Sequence, residues 1–138
     1  KKEFISKSPK ETEAIACRLA RRLKKNDCLA LMGCFGSGKT TFVKGLAKGL
    51  RVRKKEYVCS PSFVLLKIYP GRLPLHHFDL YRLDRRCDLE DIGFAEFISA
   101  GGVSVIEWAD KFLKVLPATA VKIKFTILGK NLRRLSLS

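Results

Sequence analysis

The chain has 138 residues, of which 46% are hydrophobic, and a formal net charge of +15. This length and composition predict one domain over residues 1–138 with its own core, and they argue against a disordered or low-complexity protein. The apolar runs are too short to cross a bilayer, and the five cysteines lack CxxC spacing, so we expect a soluble, cytoplasmic protein with reduced thiols.

The first half of the chain predicts a helix, a buried strand and a second helix. Ser8-Pro-Lys-Glu11 has the form of a capping box, and apolar residues then recur every four positions, which predicts a helix over residues 9–25. Cys28–Met32 is continuously apolar, as is typical of a strand buried on both faces of a parallel sheet. After a glycine-rich stretch, residues 40–50 predict another helix.

The second half has mostly β-type composition. It predicts a hairpin or meander (residues 63–69 and 73–81), a helix (88–99), a buried strand (103–107) and a final hairpin (120–128 and 132–137). Together the elements predict an α/β fold of the P-loop NTPase type. Its central sheet should be mixed but largely parallel and flanked by helices, with β-hairpins added in the middle and at the C-terminus.

A phosphate-binding loop stands between the predicted strand and helix. Gly33-Cys-Phe-Gly-Ser-Gly-Lys-Thr40 satisfies the P-loop pattern, in which backbone N–H groups at a helix N-terminus surround phosphates. Lys39 would reach the β- and γ-phosphates, and the Thr40 hydroxyl would bind Mg²⁺. The residues predicted to bind the nucleotide here are Gly33, Gly36, Ser37, Gly38, Lys39, Thr40 and Thr41.

Two acidic residues end apolar stretches and are the candidates for hydrolysis. Glu107 ends the strand at 103–107, where it could hold Mg²⁺ or orient the attacking water, and Asp79 could perform the remaining task. The alternative for either is a surface acid at a strand end. His76 and His77 are adjacent, so on a strand they point to opposite faces, and a metal site is disfavoured. Trp108 belongs either to the core or beside the nucleotide.

Several separated stretches resemble one family. Besides the loop, Ser60-Pro-Ser-Phe63, His77-Phe-Asp-Leu-Tyr-Arg-Leu83 and Ile106-Glu-Trp108 are similar, in order and spacing, to the TsaE (YjeE) ATPases of bacterial tRNA threonylcarbamoyladenosine (t⁶A) biosynthesis. The resemblance implies that residues 60–63, including Ser62, form a switch-like loop over ATP. It also implies that Asp79 and Glu107 serve hydrolysis, with Glu107 near Mg²⁺, that Trp108 adjoins the site and that Arg133 approaches the nucleotide.

The resemblance also implies partners. Members of the family dock on a heterodimer of TsaB and TsaD, which modifies adenosine 37 of tRNA, and ATP hydrolysis resets that complex between turnovers. The tRNA would then be reached through the complex, and direct contact with it stays open. The chain departs from the family at Ser62, where Thr is usual, at Cys34-Phe35, where an acidic residue and Leu are common, and in its strong positive charge.

Two other functions remain as alternatives. A small-molecule kinase on a P-loop fold would need an acceptor pocket and a lid, for which the chain offers little length. A basic nucleic-acid-binding module would use the outer face of the first helix, with Arg18, Arg21, Arg22 and Lys25, and the run Arg51-Val-Arg-Lys-Lys55. Residues 1–69 carry 17 Lys and Arg against 5 Asp and Glu, which favours an acidic partner. A solvated helix face would account for the same excess.

Overall fold

The computed structural model describes residues 2–53 and 65–138. Its strands are β1 (Lys2–Ser6), β2 (Cys28–Met32), β3 (Leu66–Tyr69), β4 (Leu75–Asp79), β5 (Val103–Glu107), β6 (Val121–Ile127) and β7 (Arg133–Leu137). Its helices are α1 (Pro9–Ala20), α2 (Lys39–Gly49), α3 (Arg86–Asp91) and α4 (Phe94–Ile98), and a 3₁₀ helix spans Ala109–Val115.

The described strands form one mixed sheet in the order β1-β7-β6-β2-β5-β4-β3. The four central strands, β6, β2, β5 and β4, run parallel, and the pairs outside them are antiparallel. The predicted mixed P-loop-type sheet is confirmed, but parallel pairing is confined to its centre. The reason is that the two hairpins, β3–β4 and β6–β7, join neighbouring strands by short turns, and such strands must be antiparallel.

Helix α1 begins where the capping box predicts and ends earlier than expected. The Ser8 side chain accepts a hydrogen bond from the Glu11 N–H at 3.1 Å, and a Glu11 carboxylate oxygen accepts from the Lys7 N–H at 3.1 Å. The helix ends at Ala20 instead of residue 25. Two interactions stabilise the turn that follows: Asp27 accepts from the Lys24 N–H, and the Arg72 guanidinium donates to the carbonyls of Ala20 and Leu23.

Helices α1 and α2 lie side by side and run in the same direction. A Cβ atom placed on Gly45 would lie 2.3 Å from the Glu13 carbonyl, and one on Gly49 would lie 2.5 Å from the Cys17 carbonyl. Moving four residues towards the C-terminus on both helices leads from one contact to the next. The helices are therefore parallel, and their backbones touch. Because of this, both helix N-termini lie at one end of the molecule and both C-termini at the other.

Two apolar layers hold the sheet. One lies between the sheet and the α1–α2 pair, and it includes Phe42, Leu46 and Ile123. The other lies under α3, α4 and the 3₁₀ helix, where it covers β2, β4 and β5. On that second side, the outer face of β1, β7 and β6 presents exposed polar residues such as Lys122 and Lys124.

Some local expectations differ from the structure. The predicted helix at 88–99 is two short helices, because Gly93 between them has a φ of 70°, in the left-handed region that a helix interior does not use. Strand β1 and the 3₁₀ helix were not predicted. Among the described residues, we find no helical segment with the length and apolar character that a membrane span requires.

Candidate nucleotide-binding site

The glycine-rich stretch forms the connection between β2 and α2. Gly33, Gly36 and Gly38 have φ values of 154°, 76° and 106°, which side chains with a Cβ rarely adopt. A Cβ on Gly33 would also lie 2.7 Å from the Ser37 hydroxyl. The loop therefore curls back over itself and leads into the first turn of α2, which has no side-chain cap on its N–H groups.

One buried hydroxyl in this loop fits an anionic ligand. The Ser37 hydroxyl is buried, with the residue 1% exposed, and it has no hydrogen-bond partner within residues 2–53 and 65–138. A buried polar group without a partner is costly, so such groups in native proteins usually meet a ligand or water. The hydroxyl, the uncapped helix and the three glycines together make a surface suited to phosphate oxygens.

A cavity of about 560 Å³ opens beside the loop. The residues predicted to bind nucleotide, metal or attacking water that line it are Gly36, Ser37, Gly38, Lys39, Thr40, Thr41, Asp79, Glu107, Trp108 and Arg133. Ser8, Pro9, Thr12, Phe35, Tyr81, Arg82 and Asn131 also line it and were not predicted. Gly33 lies outside the lining and shapes the loop, and Ser62 and the switch-like loop at 60–63 lie outside the described residues.

Lys39 lines this cavity, and the residue is only 5% exposed. Its ammonium group donates to the Gly33 carbonyl and lies 3.3 Å from the centre of the Trp108 ring. Burial lowers the pKa of Lys39, and nearby carboxylates, Glu107 foremost, partly oppose that shift. Such a charge, removed from water and held by a carbonyl and a ring face, is suited to exchange these contacts for a phosphate.

Glu107 is held at the end of β5 by two neighbours. The Thr40 hydroxyl donates to both carboxylate oxygens at 3.3 and 3.4 Å, and His77 Nε2 lies 2.5 Å from one of them. His77 is fully buried, and its Nδ1 has no partner among the described residues. The carboxylate therefore has a fixed orientation next to the first turn of α2.

Asp79 lies directly beside Glu107, because the two residues are paired in the register of β4 and β5. It is 4% exposed, and its carboxylate accepts the Tyr81 N–H at 3.0 Å. The structure thus brings Thr40, Asp79 and Glu107 together, as the sequence predicted. From the sequence we expected His77 to have a structural or nucleotide-proximal role. The sequence feature that indicates this is its two-residue spacing from Asp79, which places both residues on one face of a strand.

Three aromatic rings form part of the cavity wall. Phe35, Tyr81 and Trp108 contact one another with ring centres 4.7–4.9 Å apart. Trp108 has a φ of 58°, which is uncommon for a bulky residue and turns its ring over Lys39. Phe35 is 67% exposed although it is a large apolar side chain. The sequence feature that could have indicated Phe35 as a site residue is an aromatic side chain inside a glycine-rich loop.

Arg133 links the loop to the final hairpin. Its guanidinium donates to the Gly36 carbonyl at 3.1 Å and to the Gly129 carbonyl at 2.8 Å. Arg133 also lines the cavity.

The oxygen groups present suit a magnesium ion better than a transition metal. Within the described part of the chain, no three His, Cys, Asp or Glu side chains are grouped to enclose a metal. The hydroxyl of Thr40 and the carboxylate of Glu107 lie next to each other at the base of the cavity. Mg²⁺ retains waters and uses one or two protein oxygens together with substrate phosphates, so this sparse set fits it.

Comparisons with known proteins agree with one another. Residues 6–135 match the model of a family described as "Threonylcarbamoyl adenosine biosynthesis protein TsaE". The chain is 38% identical to a protein of that name from Treponema pallidum over 97% of this chain and 98% of that protein, and 39% identical to its namesake from Bacillus subtilis over 95% and 81%. The crystal structure of Bacillus subtilis YdiB superposes with a TM-score of 0.84 at 34% identity, covering 99% of this chain and 83% of that one.

Proposed function

The chain belongs to the TsaE family, and from this premise we propose that it is a Mg²⁺-dependent ATPase required for the t⁶A modification of tRNA. In this proposal residues 1–138 act as one ATPase domain in the cytoplasm, with weak activity alone. Binding and hydrolysis of ATP drive the cycling of a TsaB–TsaD-type heterodimer. The names of the relatives support the pathway, and the cavity described above supports the chemistry.

The chemical part of the proposal rests on one observation: Lys39, Thr40 and Glu107 line one cavity beside the Ser37 hydroxyl, which has no partner among the described residues. Cationic, hydroxyl and carboxylate groups occur there together at an uncapped helix N-terminus. A nucleoside triphosphate needs this combination, because its phosphates carry several negative charges and its hydrolysis requires a positioned water.

Binding would begin with an exchange of partners by Lys39. In the proposal its ammonium group leaves the Gly33 carbonyl and the Trp108 ring for the β- and γ-phosphates. Hydrogen bonds to charged groups contribute about 1.5–3 kcal/mol each, and a phosphate adds an attraction between opposite charges that the uncharged carbonyl and ring lack. The N–H groups of Gly36, Gly38 and the first turn of α2, with the side chains of Ser37 and Thr41, would hold the remaining phosphate oxygens.

Hydrolysis would depend on the two carboxylates at the strand ends. Bound Mg²⁺ would neutralise phosphate charge, and Thr40 with Glu107 would hold it. Glu107, oriented by Thr40 and His77, would fix the direction of an attacking water, and Asp79 would supply a second acceptor beside it. We propose Arg133 as a cation near the nucleotide, Trp108 as a wall of its site and Ser62 as part of a loop that closes on it.

The test is an assay of the purified chain with and without a TsaB–TsaD pair, using ATP labelled in the γ-phosphate. We expect phosphate released to water, more of it with the partners, and retention of the pair on the immobilised chain only when ATP is present. Transfer of label to a metabolite would favour a kinase instead. Retention of the pair regardless of nucleotide would contradict the coupling.

A further inference from the structure

A second charged surface lies at the end of the α1–α2 pair opposite the cavity. We call it the basic pole, and it consists of the exposed side chains of Arg18, Arg21, Arg22, Lys24, Lys25, Arg51 and Arg53. Because the two helices are parallel, their C-terminal ends meet here. Helix α1 has 12 residues, so the basic pole lies about 18 Å along the helix from the cavity.

The seven cations of the basic pole have no ion pair within residues 2–53 and 65–138. The exposed ion pairs found there involve Lys48, Arg85 and Lys111 instead. Two described acids close to these cations in sequence are already engaged, since Glu13 pairs with Lys48 and Asp27 accepts the Lys24 N–H. The surface is therefore a concentration of one sign of charge with little internal compensation.

The helix dipoles do not account for this concentration. Cations at a helix C-terminus are favourable because each C-terminus carries about −0.5 of a charge. Two parallel helices supply about −1 in total, against seven positive side chains. Most of the charge therefore remains available to a partner, and that partner must be strongly anionic.

The composition of the basic pole selects among anionic partners. Five of its seven cations are arginines, whose planar group matches phosphate by two parallel hydrogen bonds. The large exposed apolar side chains, such as Ile5, Phe35 and Ile127, do not lie on α1 or α2, so the apolar face that inserts into a membrane surface is missing from these helices. The basic pole also carries no aromatic residue on which single-stranded bases could stack.

We propose that the basic pole is a docking surface for the phosphate backbone of double-stranded RNA, such as a tRNA stem. The choice of tRNA as the source rests on the proposed function, whereas the affinity for a duplex rests on the charge pattern alone. Binding at this pole leaves the cavity open, because the two lie at opposite ends of the same helices. One chain would then hold RNA and ATP at once.

The experiment compares two charge-matched triple variants by fluorescence anisotropy in a salt series. The probes are an unmodified tRNA transcript and a 16-base-pair RNA hairpin stem. The test variant is Arg18→Gln, Arg21→Gln and Arg22→Gln. The control is Lys122→Gln, Lys124→Gln and Arg134→Gln on the open face of β6 and β7, which removes the same charge elsewhere.

We expect the test variant to weaken binding of both probes roughly 10-fold or more near physiological salt and to lower the slope of log affinity against log salt by about 2–3. The control should change affinity less than about 2-fold. Equal loss in both variants, or binding of phosphatidylglycerol vesicles in preference to both RNAs, would overturn the proposal. Failure of the unaltered chain to bind either RNA at low salt would do the same.

Two further measurements distinguish a loss of RNA binding from a loss of fold and from a failure of the proposed ATPase function. Thermal unfolding of the test variant checks its fold, and Arg51→Gln with Arg53→Gln, which lie beyond α2, repeats the test without touching α1. ATP hydrolysis should be unchanged in both. Loss of RNA binding with intact hydrolysis would place the effect at the basic pole. An inactive but RNA-binding chain would instead contradict the proposed function.

Discussion

The two ends of the α1–α2 pair carry positive charge in opposite ways. At the cavity, Lys39 is 5% exposed, contacts a carbonyl and a ring, and lies among carboxylates that act on its pKa. At the basic pole the cations are exposed and lack ion pairs within the described residues. A buried charge depends on each neighbour because it has lost water, whereas exposed charges act additively and are screened by salt.

The contrast teaches that the same residue type serves different purposes according to its solvation. One substitution at the cavity should abolish a function, while one at the basic pole should reduce affinity by a small increment. Substitutions at and away from the cavity test this difference between buried and exposed cations.

The largest effect is expected from Lys39→Ala. It removes the cation predicted to reach the β- and γ-phosphates, so we expect ATP affinity to fall roughly 100-fold or more, with hydrolysis lost. Isothermal titration with ATP measures it. Lys48→Ala is the control, since that exposed lysine lies on the same helix, away from the cavity, and pairs with Glu13. An equal fall in both variants would remove the distinction between the two ends.

Glu107→Gln should separate binding from chemistry. The amide keeps the size of the side chain but loses its charge, so we expect kcat to fall about 10²–10³-fold while ATP is still bound. Steady-state phosphate release and ATP titration give the two quantities. Glu96→Gln, on the exposed side of α4, is the matched control and should leave both unchanged. Unaltered turnover in the Glu107 variant would assign the essential carboxylate to Asp79.

Gly45→Ala should disturb both ends together, because it lies where the helices touch. The added Cβ would lie 2.3 Å from the Glu13 carbonyl, so the backbones must separate. We expect the free energy of unfolding to fall by about 1–3 kcal/mol, measured by urea denaturation. Gly129→Ala has its nearest neighbour at 3.5 Å and should be tolerated. If a stable Gly45 variant lost only ATP binding or only RNA binding, the cavity and the basic pole would not depend jointly on the contact between α1 and α2.

His77 offers a finer test of the cavity. Replacing it with Leu leaves the buried Glu107 without one of its partners, and we expect kcat to fall about 10-fold with ATP affinity nearly unchanged. His77→Gln should recover part of that loss, because its amide can still donate to the carboxylate. Equal activity in the Leu and Gln variants would reduce His77 to a packing residue.

The smallest effect is expected from Phe35→Ala. It removes ring contacts with Tyr81 and Trp108, each worth about 0.5–1.5 kcal/mol, from a side chain that is largely exposed. We expect ATP affinity to change only a few-fold, measured by titration while following Trp108 fluorescence. Ile5→Ala, another exposed apolar residue, on β1, should have no effect on ATP. A 100-fold change would make the aromatic wall as important as Lys39.

The sequence predicts best what short segments determine by themselves. The loop at Gly33 to Thr40, the strand Cys28–Met32 before it and the capping box at Ser8 were recognisable because each depends on a local pattern of glycines, apolar runs or caps. Strand β1 shows the opposite case. Its charged and apolar residues give little β signal, and it becomes a strand through its pairing with β7.

The residues of the candidate site also fall into two groups, those that a local pattern predicts and those that only the structure reveals. Lys39, Thr40, Asp79 and Glu107 were predicted from motif and strand ends, and the structure gathers them in one cavity. The His77 contact with Glu107 and the ring contacts of Phe35 depend on strand register and loop path. Neither can be read from spacing within a single segment, which is why their roles required the structure.

The position of β1 has a consequence for how the protein is assembled. Lys2 is paired with Leu137, so β1 cannot pair with β7 until the long stretch of chain between them has been synthesised. Until then β1 is an unpaired edge with an apolar Ile5, a type of surface that associates with other nascent chains. Lys2 and Glu3 work against such aggregation, and because β1 pairs with β7 alone among the described strands, we expect its docking to come late in folding.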